Sequence, residues 1–267
     1  MEKRFLSPQE TIDLTISNGV KKAALSFEQM LFLGILAGVY IGFGGFASII
    51  IMQTMKNIDA GLMKFVGAMV FPVGLMLVMV CGAELFTGNN LMVFAVLRRK
   101  ITVNALFRNW ATVYLANFLG SVILAFLVYK SGLLQGNVLY LTFSIAQNKI
   151  FQDLIAPFIR GILCNILVVL AVFMATASLD ITSKIFSCWF PIMLFVLSGY
   201  EHSVANMFFL SLAKFGGMDI NWAQIFLNNL IPVTLGNIVG GAIIIPFMYF
   251  HAYFAEEKKD YKIRLNG

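Results

Sequence analysis

Four ionisable side chains fall inside stretches of sequence otherwise apolar enough to cross a membrane: Glu84, Arg160, Glu201 and His202. Charge at membrane depth is costly, so each is a candidate for work on a solute or a proton. His202 stands beside Glu201, and an imidazole titrates near neutral pH. Two roles are open to it: bonding the local backbone, or acting as a proton donor or positive electrostatic post at the centre of a pore for a weak acid. Glu84 and Glu201 occupy matching Gly-x-Glu segments. That match points to structural work, with the carboxylates accepting bonds from loop amides. Lys149 reads either as a solvated lysine or as an anion attractor at a pore mouth, where low-dielectric walls focus its field. Phe71 and Leu75 lie one helical turn apart and Phe195 lies seven residues before His202. Such spacing serves core packing or, in a channel, apolar constrictions that strip water from ions. Cys81, Cys164 and Cys188 sit in apolar runs without C-x-x-C pairing and read as buried small hydrophobes; no metal or cofactor is expected.

The elements that must position these residues are set by composition. Hydrophobic residues make up 60% of the chain, charged residues 12%, and the mean hydropathy is +0.85. A soluble domain of this length could not hide that much apolar surface. About 20 apolar residues span a bilayer core, and six stretches qualify, near 29–52, 64–98, 105–129, 155–179, 184–214 and 226–254. The predicted fold is therefore an all-α membrane protein with six transmembrane helices. The chain divides into a cytoplasmic N-terminal amphipathic helix (1–28), a transmembrane channel domain (29–254) and a cytoplasmic tail (255–267). Ser7, Pro8 and Glu10 form a helix start signal, and Ile12, Ile16, Val20 and Ala24 give that helix one apolar stripe. It either lies on the membrane or packs on the protein. The first 28 residues are polar and charged, unlike a removable secretory leader. Lys and Arg outside the spans gather on alternate segments, thirteen (among them Lys21, Lys22, Arg98, Arg99 and Lys100) against five (Lys56, Lys64, Lys130, Lys149 and Lys214). Positive charge stays inside, so both termini are expected in the cytoplasm of a multi-pass cell-membrane protein. The net charge of +6 is then a topology signal, not a nucleic-acid footprint.

The chain also repeats itself. Phe71-Pro72, an apolar run, Gly82-x-Glu84 and Asn90 are echoed by Phe190-Pro191, Gly199-x-Glu201 and Asn206, and Asn117-x-x-Gly120 is echoed by Asn237-x-x-Gly240. The offsets are 119 for the prolines, 117 for the glutamates and 120 for the asparagines; Gly34 and Gly161 match at 127. A three-span repeat enters the membrane from opposite sides in its two copies. Helices 2 and 5 should break at the Gly-x-Glu segments, where glycine permits a sharp turn and freed backbone survives only if buried in protein or facing a wet cavity. Asn90 and Asn206 are expected to help shape these loops.

At GAELFTGN, RGILCN (160–165), SGYEHSVANM (198–207) and PVTLGNIVGG (232–241), the sequence resembles the formate/nitrite transporter family, over roughly residues 10–254. The resemblance implies an aquaporin-like protomer in a homopentamer, with one pore in each. By motif position it implies His202 as the central histidine, Asn165 and Thr87 beside it, Phe71, Leu75, Leu85, Val168 and Phe195 as constrictions, and Lys149 as the vestibule lysine. The expected function is conduction of small monovalent anions of weak acids, formate first, then hydrosulfide or nitrite, with protons and the lipid bilayer as the other partners. An aquaglyceroporin-like neutral-solute channel is the alternative, although paired Asn-Pro-Ala signatures are missing. Ser198 or Ser203 with His202 makes a poor hydrolase, because the residues crowd one short loop and no triad follows.

Overall fold

The structure, a computed structural model, describes residues 3–55 and 58–254. The expected tail at 255–267 lies outside the described residues. Fourteen α-helical segments carry most of the described chain. Five stretches are long and apolar enough to cross a membrane: Phe27–Met52, Ala60–Cys81, Val103–Lys130, Ile155–Ala177 and Trp222–Tyr253. Ile181–Leu197 and Ser203–Phe215 are apolar but shorter. Large apolar side chains such as Leu115, Phe126, Leu235 and Phe247 lie exposed on the outside, as lipid or a partner subunit requires.

The order begins with α1 (Pro8–Ala23), started by a capping box in which Ser7 and Glu10 bond each other's backbone. Glu10 is held down to about 2, first by its bond to Lys3 and then by the Ser7 backbone N–H, so the box keeps its charge at physiological pH. Ile12 and Ile16 pack against Phe94, Ala95, Val169 and Phe173, which seats this helix on the protein. The buried stripe runs Ile12, Thr15, Ile16, Gly19, while Val20 is exposed. A strict four-residue spacing drifts off a face that repeats every 3.6 residues, and this moves Val20 outward. Ahead of α1, residues 4–6 pair with 177–179 through Leu6 N–H to Ala177 C=O (2.9 Å) and Leu179 N–H to Arg4 C=O (3.3 Å).

Next come α2 (Phe27–Met52), α3 (Ala60–Val70) and α4 (Val73–Cys81). The joint between the last two falls at Phe71-Pro72, where proline removes a helix donor. Short α5 (Phe86–Asn89) and α6 (Val93–Leu97) follow, then α7 (Val103–Lys130), α8 (Gly136–Ile150), α9 (Ile155–Ala177), α10 (Ile181–Leu197) and α11 (Ser203–Phe215). The described residues end in α12 (Trp222–Ile225), α13 (Ile231–Ile238) and α14 (Ile245–Phe254), joined into one rod by π-helical turns at Phe226–Leu230 and Val239–Ile244. Helix α8 was not foreseen: the segment between the third and fourth spans reads as a loop. Its buried Val138, Leu141, Thr142, Ala146 and Ile150 do form a helical stripe that a closer reading of periodicity would have found.

Two close crossings bring the spans together. Gly38 of α2 faces the Asn117 carbonyl of α7, and Gly236 of α13 faces the Phe158 carbonyl of α9. A Cβ at either glycine would collide with backbone, so the helices can approach this closely only with hydrogen in those places.

Candidate functional site

Helix α4 stops at Cys81 and α5 starts at Phe86; α10 stops at Leu197 and α11 starts at Ser203. The turn-outs are Gly82 (φ +81°) and Gly199 (φ +72°), in the left-handed region that a side chain resists. Such loops leave backbone groups without helical partners, and one asparagine satisfies them in each. Asn117 accepts from Phe86 N–H (2.9 Å) and donates to the carbonyls of Gly34 and Glu84 (2.8 Å each). Asn237 accepts from Ser203 N–H (2.9 Å) and donates to Gly161 (2.8 Å) and Glu201 (3.0 Å). Around them, Glu84 N–H donates to Leu33 C=O (3.1 Å) and Glu201 N–H to Arg160 C=O (3.3 Å).

The two carboxylates sit in twin networks. Glu84 accepts from Asn89 (2.7 Å) and Lys22 (2.5 Å); Asn89 donates on to Asn109 (2.8 Å), and Asn109 to the Lys22 carbonyl (3.3 Å). Glu201 accepts from Asn206 (2.6 Å) and Lys149 (2.7 Å); Asn206 donates on to Asn229 (2.8 Å), and Asn229 to the Lys149 carbonyl (3.1 Å). The glutamates thus meet side-chain amides and ammonium groups, not the loop amides expected. The partner of Glu84 is Asn89, one residue before Asn90. Asn90 instead donates to Phe86 C=O (3.1 Å) and accepts from Asn165 (2.9 Å). Lys22, Asn89, Asn109 and Asn229 were missed. The signal was present: Lys22 and Lys149 stand 127 positions apart, like Gly34 and Gly161, and Asn109 and Asn229 stand 120 apart, like Asn117 and Asn237. Lys149 is no solvated lysine, since its side chain is 14% exposed and ion-paired.

Between the breaks lies His202, the N-cap of α11. Its Nδ1 accepts from Ala205 N–H (3.1 Å), and Nε2 lies 2.8 Å from Thr87 Oγ1. A backbone N–H can only donate, so Nδ1 carries the lone pair and the neutral ring holds its proton on Nε2. His202 therefore donates to Thr87, whose own hydroxyl proton is left for a further acceptor. Phe195 stacks on the imidazole (5.8 Å, 18°), and Phe71 meets Phe195 edge-on (5.6 Å, 81°). Leu75, Leu85 and Val168 are buried in the same core. Asn165 donates to Asn237 C=O (2.8 Å) and Asn90, while its Oδ1 has no partner among the described residues. In the matched loop the N-cap position of His202 is held by Leu85, so the imidazole has no twin.

A cavity lies on each side of this centre. One, of about 440 Å³, is lined by Thr15, Lys22, Leu75, Cys81, Glu84, Leu85 and Asn89 among others. Cys81 is exposed there, because it ends α4 where the helix opens into the cavity, while Cys164 and Cys188 are buried. The other, of about 810 Å³, is lined by Lys64, Lys149, Gln152, Arg160, Ser198, Glu201 and neighbours. Neither touches His202 or Thr87. His251, at the chain's far end, is exposed and bonds Phe247 C=O (3.0 Å), away from both cavities.

An imidazole whose Nδ1 faces a backbone donor cannot take a proton at Nε2 from a hydroxyl, which removes hydrolase chemistry here. Five stretches long and apolar enough to cross a bilayer, with two cavities and the stacked rings of Phe71, Phe195 and His202 among them, define a multi-pass membrane protein. The chain belongs to the formate/nitrite transporter family, whose family model matches residues 9–251. It is similar to a probable formate transporter of Methanothermobacter thermautotrophicus, 42% identical over 275 residues that cover 96% of this chain and 100% of that one. It is also similar to the formate channel BtFdhC of Bacillus thuringiensis, at 36% identity with 93% and 96% covered. Among solved structures, an FNT family ion channel matches with a TM-score of 0.84 at 30% identity, covering 91% of this chain and 98% of that one. A pentameric formate channel with formate bound matches with a TM-score of 0.74 at 33% identity, covering 85% and 97%. The family is one of transport proteins, not enzymes.

Proposed function

We propose that the chain conducts small monovalent anions of weak acids across the cell membrane, with formate first and hydrosulfide or nitrite next. It acts as a homopentamer with one pathway per protomer, in the aquaporin-like arrangement of six spans formed by two inverted three-helix halves. The middle span of each half, the second and fifth of the six, is broken at residues 82–85 and 198–202. Both termini are cytoplasmic, α1 belongs to the cytoplasmic segment 1–28, and the channel domain covers 29–254. The similarity to formate channels and to a pentameric one supports this reading. The observation that supports it is the buried His202–Thr87 bond of 2.8 Å, with Phe195 stacked on the imidazole and Phe71 edge-on to Phe195.

A bare anion entering such a seal loses its hydration at a cost of several kcal/mol, whereas its conjugate acid does not. Falling dielectric raises the pKa of the acid as it leaves a cavity. Protonation near Thr87, Asn165 and His202 then lets the neutral molecule slip past Phe71, Leu75, Leu85, Val168 and Phe195. The Thr87 hydroxyl, relieved of donating to the ring, is the group free to donate to the passing solute.

Uptake of labelled formate into proteoliposomes at several pH values tests the proposal. Flux that rises as the donor side is acidified is expected; absence of formate flux, with glycerol-driven swelling instead, would favour the neutral-solute alternative. A His202→Asn variant keeps a cap acceptor for α11 but cannot reach Thr87. It should assemble normally and lose formate flux by roughly tenfold, the worth of one hydrogen bond. Full flux in that variant would remove His202 from the mechanism.

A further inference from the structure

The two cavities differ in charge although the loops beside them are built alike. In the smaller cavity the charged lining residues are Lys22 and Glu84, which pair with each other. In the larger, Lys149 and Glu201 likewise pair at 2.7 Å, yet Lys64 and Arg160 remain. Among the described residues no carboxylate pairs with either. The one side-chain bond of Arg160 is a neutral one, from Nη1 to Gln152 Oε1 at 2.8 Å. That cavity therefore carries two surplus positive charges and the other none.

Arg160 is the sharper case because its structural job is done by backbone. Its carbonyl accepts the Glu201 N–H; in the matched loop Leu33 does the same for Glu84, 127 positions earlier, and Leu33 lines the smaller cavity. The same position thus holds leucine in one cavity and arginine in the other. Leucine suffices for the fold, so the guanidinium is surplus to it.

We infer that Arg160, aided by the charge of Lys64, makes the larger cavity a capture site for carboxylates ahead of the seal. A guanidinium is charged at every physiological pH and presents a planar fork that matches two carboxylate oxygens, which an ammonium does not. Lys149 lines the same cavity, but its charge is matched by Glu201 at 2.7 Å, so the unmatched charge there belongs to Arg160 and Lys64. The site favours planar oxyanions over spherical ones such as hydrosulfide, and it makes the two faces of the channel unequal in apparent affinity. This inference rests on the formate reading above, and the experiment separates the two.

The test is concentration-dependent uptake of labelled formate in proteoliposomes holding the full chain or its Arg160→Leu variant, at low and moderate ionic strength. In the variant the half-saturating formate concentration should rise roughly three- to tenfold, discounted for solvent exposure. Maximal rate should be retained, the salt dependence should flatten, and hydrosulfide flux should change less. Unchanged half-saturation for formate overturns the inference while leaving formate transport standing. Absence of formate flux in the parent chain strikes the earlier proposal instead. Should the leucine variant fail to assemble, Arg160→Gln, neutral and still hydrogen-bonding, gives the same reading. Arg160→Lys separates charge from fork, and a parent-like half-saturation there overturns the bidentate assignment.

Discussion

Asn237→Leu is expected to leave little assembled protein. Leucine keeps the branched outline of asparagine with somewhat bulkier methyl ends, so the larger part of the loss is of hydrogen bonds. The Ser203 N–H and Glu201 C=O, both at the break before α11, then stand buried without their partner. At about 1–3 kcal/mol for each stranded group, the penalty is roughly 2–6 kcal/mol, a large share of the stability of an ordinary domain. Asn117→Leu should cost a similar amount, because it strands Phe86 N–H and Glu84 C=O at the other break. The measurement is the yield of monodisperse protein after detergent extraction, with thermal unfolding of whatever survives. A leucine variant at either position that melts with the parent chain would show that these asparagines are passengers. An Asp at 237 is no rescue, since it keeps the acceptor for Ser203 but points negative charge at two carbonyls.

The match of that pair was legible in advance because a repeat makes matched polar residues visible without any coordinates, but the loop-shaping work was expected of Asn90 and Asn206 instead. The same logic gave the two glycines that turn the chain out of α4 and α10. What escaped was whatever depends on a contact far along the chain. Lys22 looks like one more inside-positive lysine until α1 is seated, 62 residues from its partner Glu84. Asn89 and Asn90 are adjacent, and only the turn of α5 decides which side chain faces the carboxylate. Cys81 sits in an apolar run, yet the helix ends there and opens it to a cavity. The residues at the centre, Thr87 and Asn165, carry no pattern of their own; their place beside His202 came from resemblance. The hydrogen-bond direction at His202 needs coordinates altogether, because it turns on a backbone N–H aimed at Nδ1.

The second large effect concerns Lys149, and it decides what that residue is for. Its ammonium meets Glu201 at 2.7 Å, with both side chains mostly buried and the Phe209 ring 5.8 Å away on its other side. Lys149→Met leaves the carboxylate with Asn206 alone, and Glu201→Gln leaves the ammonium with little but that ring. Breaking one side of such a pair typically costs about 3–5 kcal/mol, whereas replacing both with neutral groups of similar shape is close to neutral. Each single variant is therefore expected to destabilise the protein and suppress formate flux. The double variant should recover thermal stability and most of the flux, since the break before α11 regains a neutral, hydrogen-bonding side chain beside Asn206. An attractor would behave otherwise: with its charge gone, flux at low formate would stay depressed in the double variant however stable the protein. Lys22→Met with Glu84→Gln offers the same cycle at the other break, where no surplus charge lines the cavity, so recovery there should be complete. The two cycles together separate the lysines' work on the loops from any work on the solute, which the fold otherwise places within one ion pair's reach of each other.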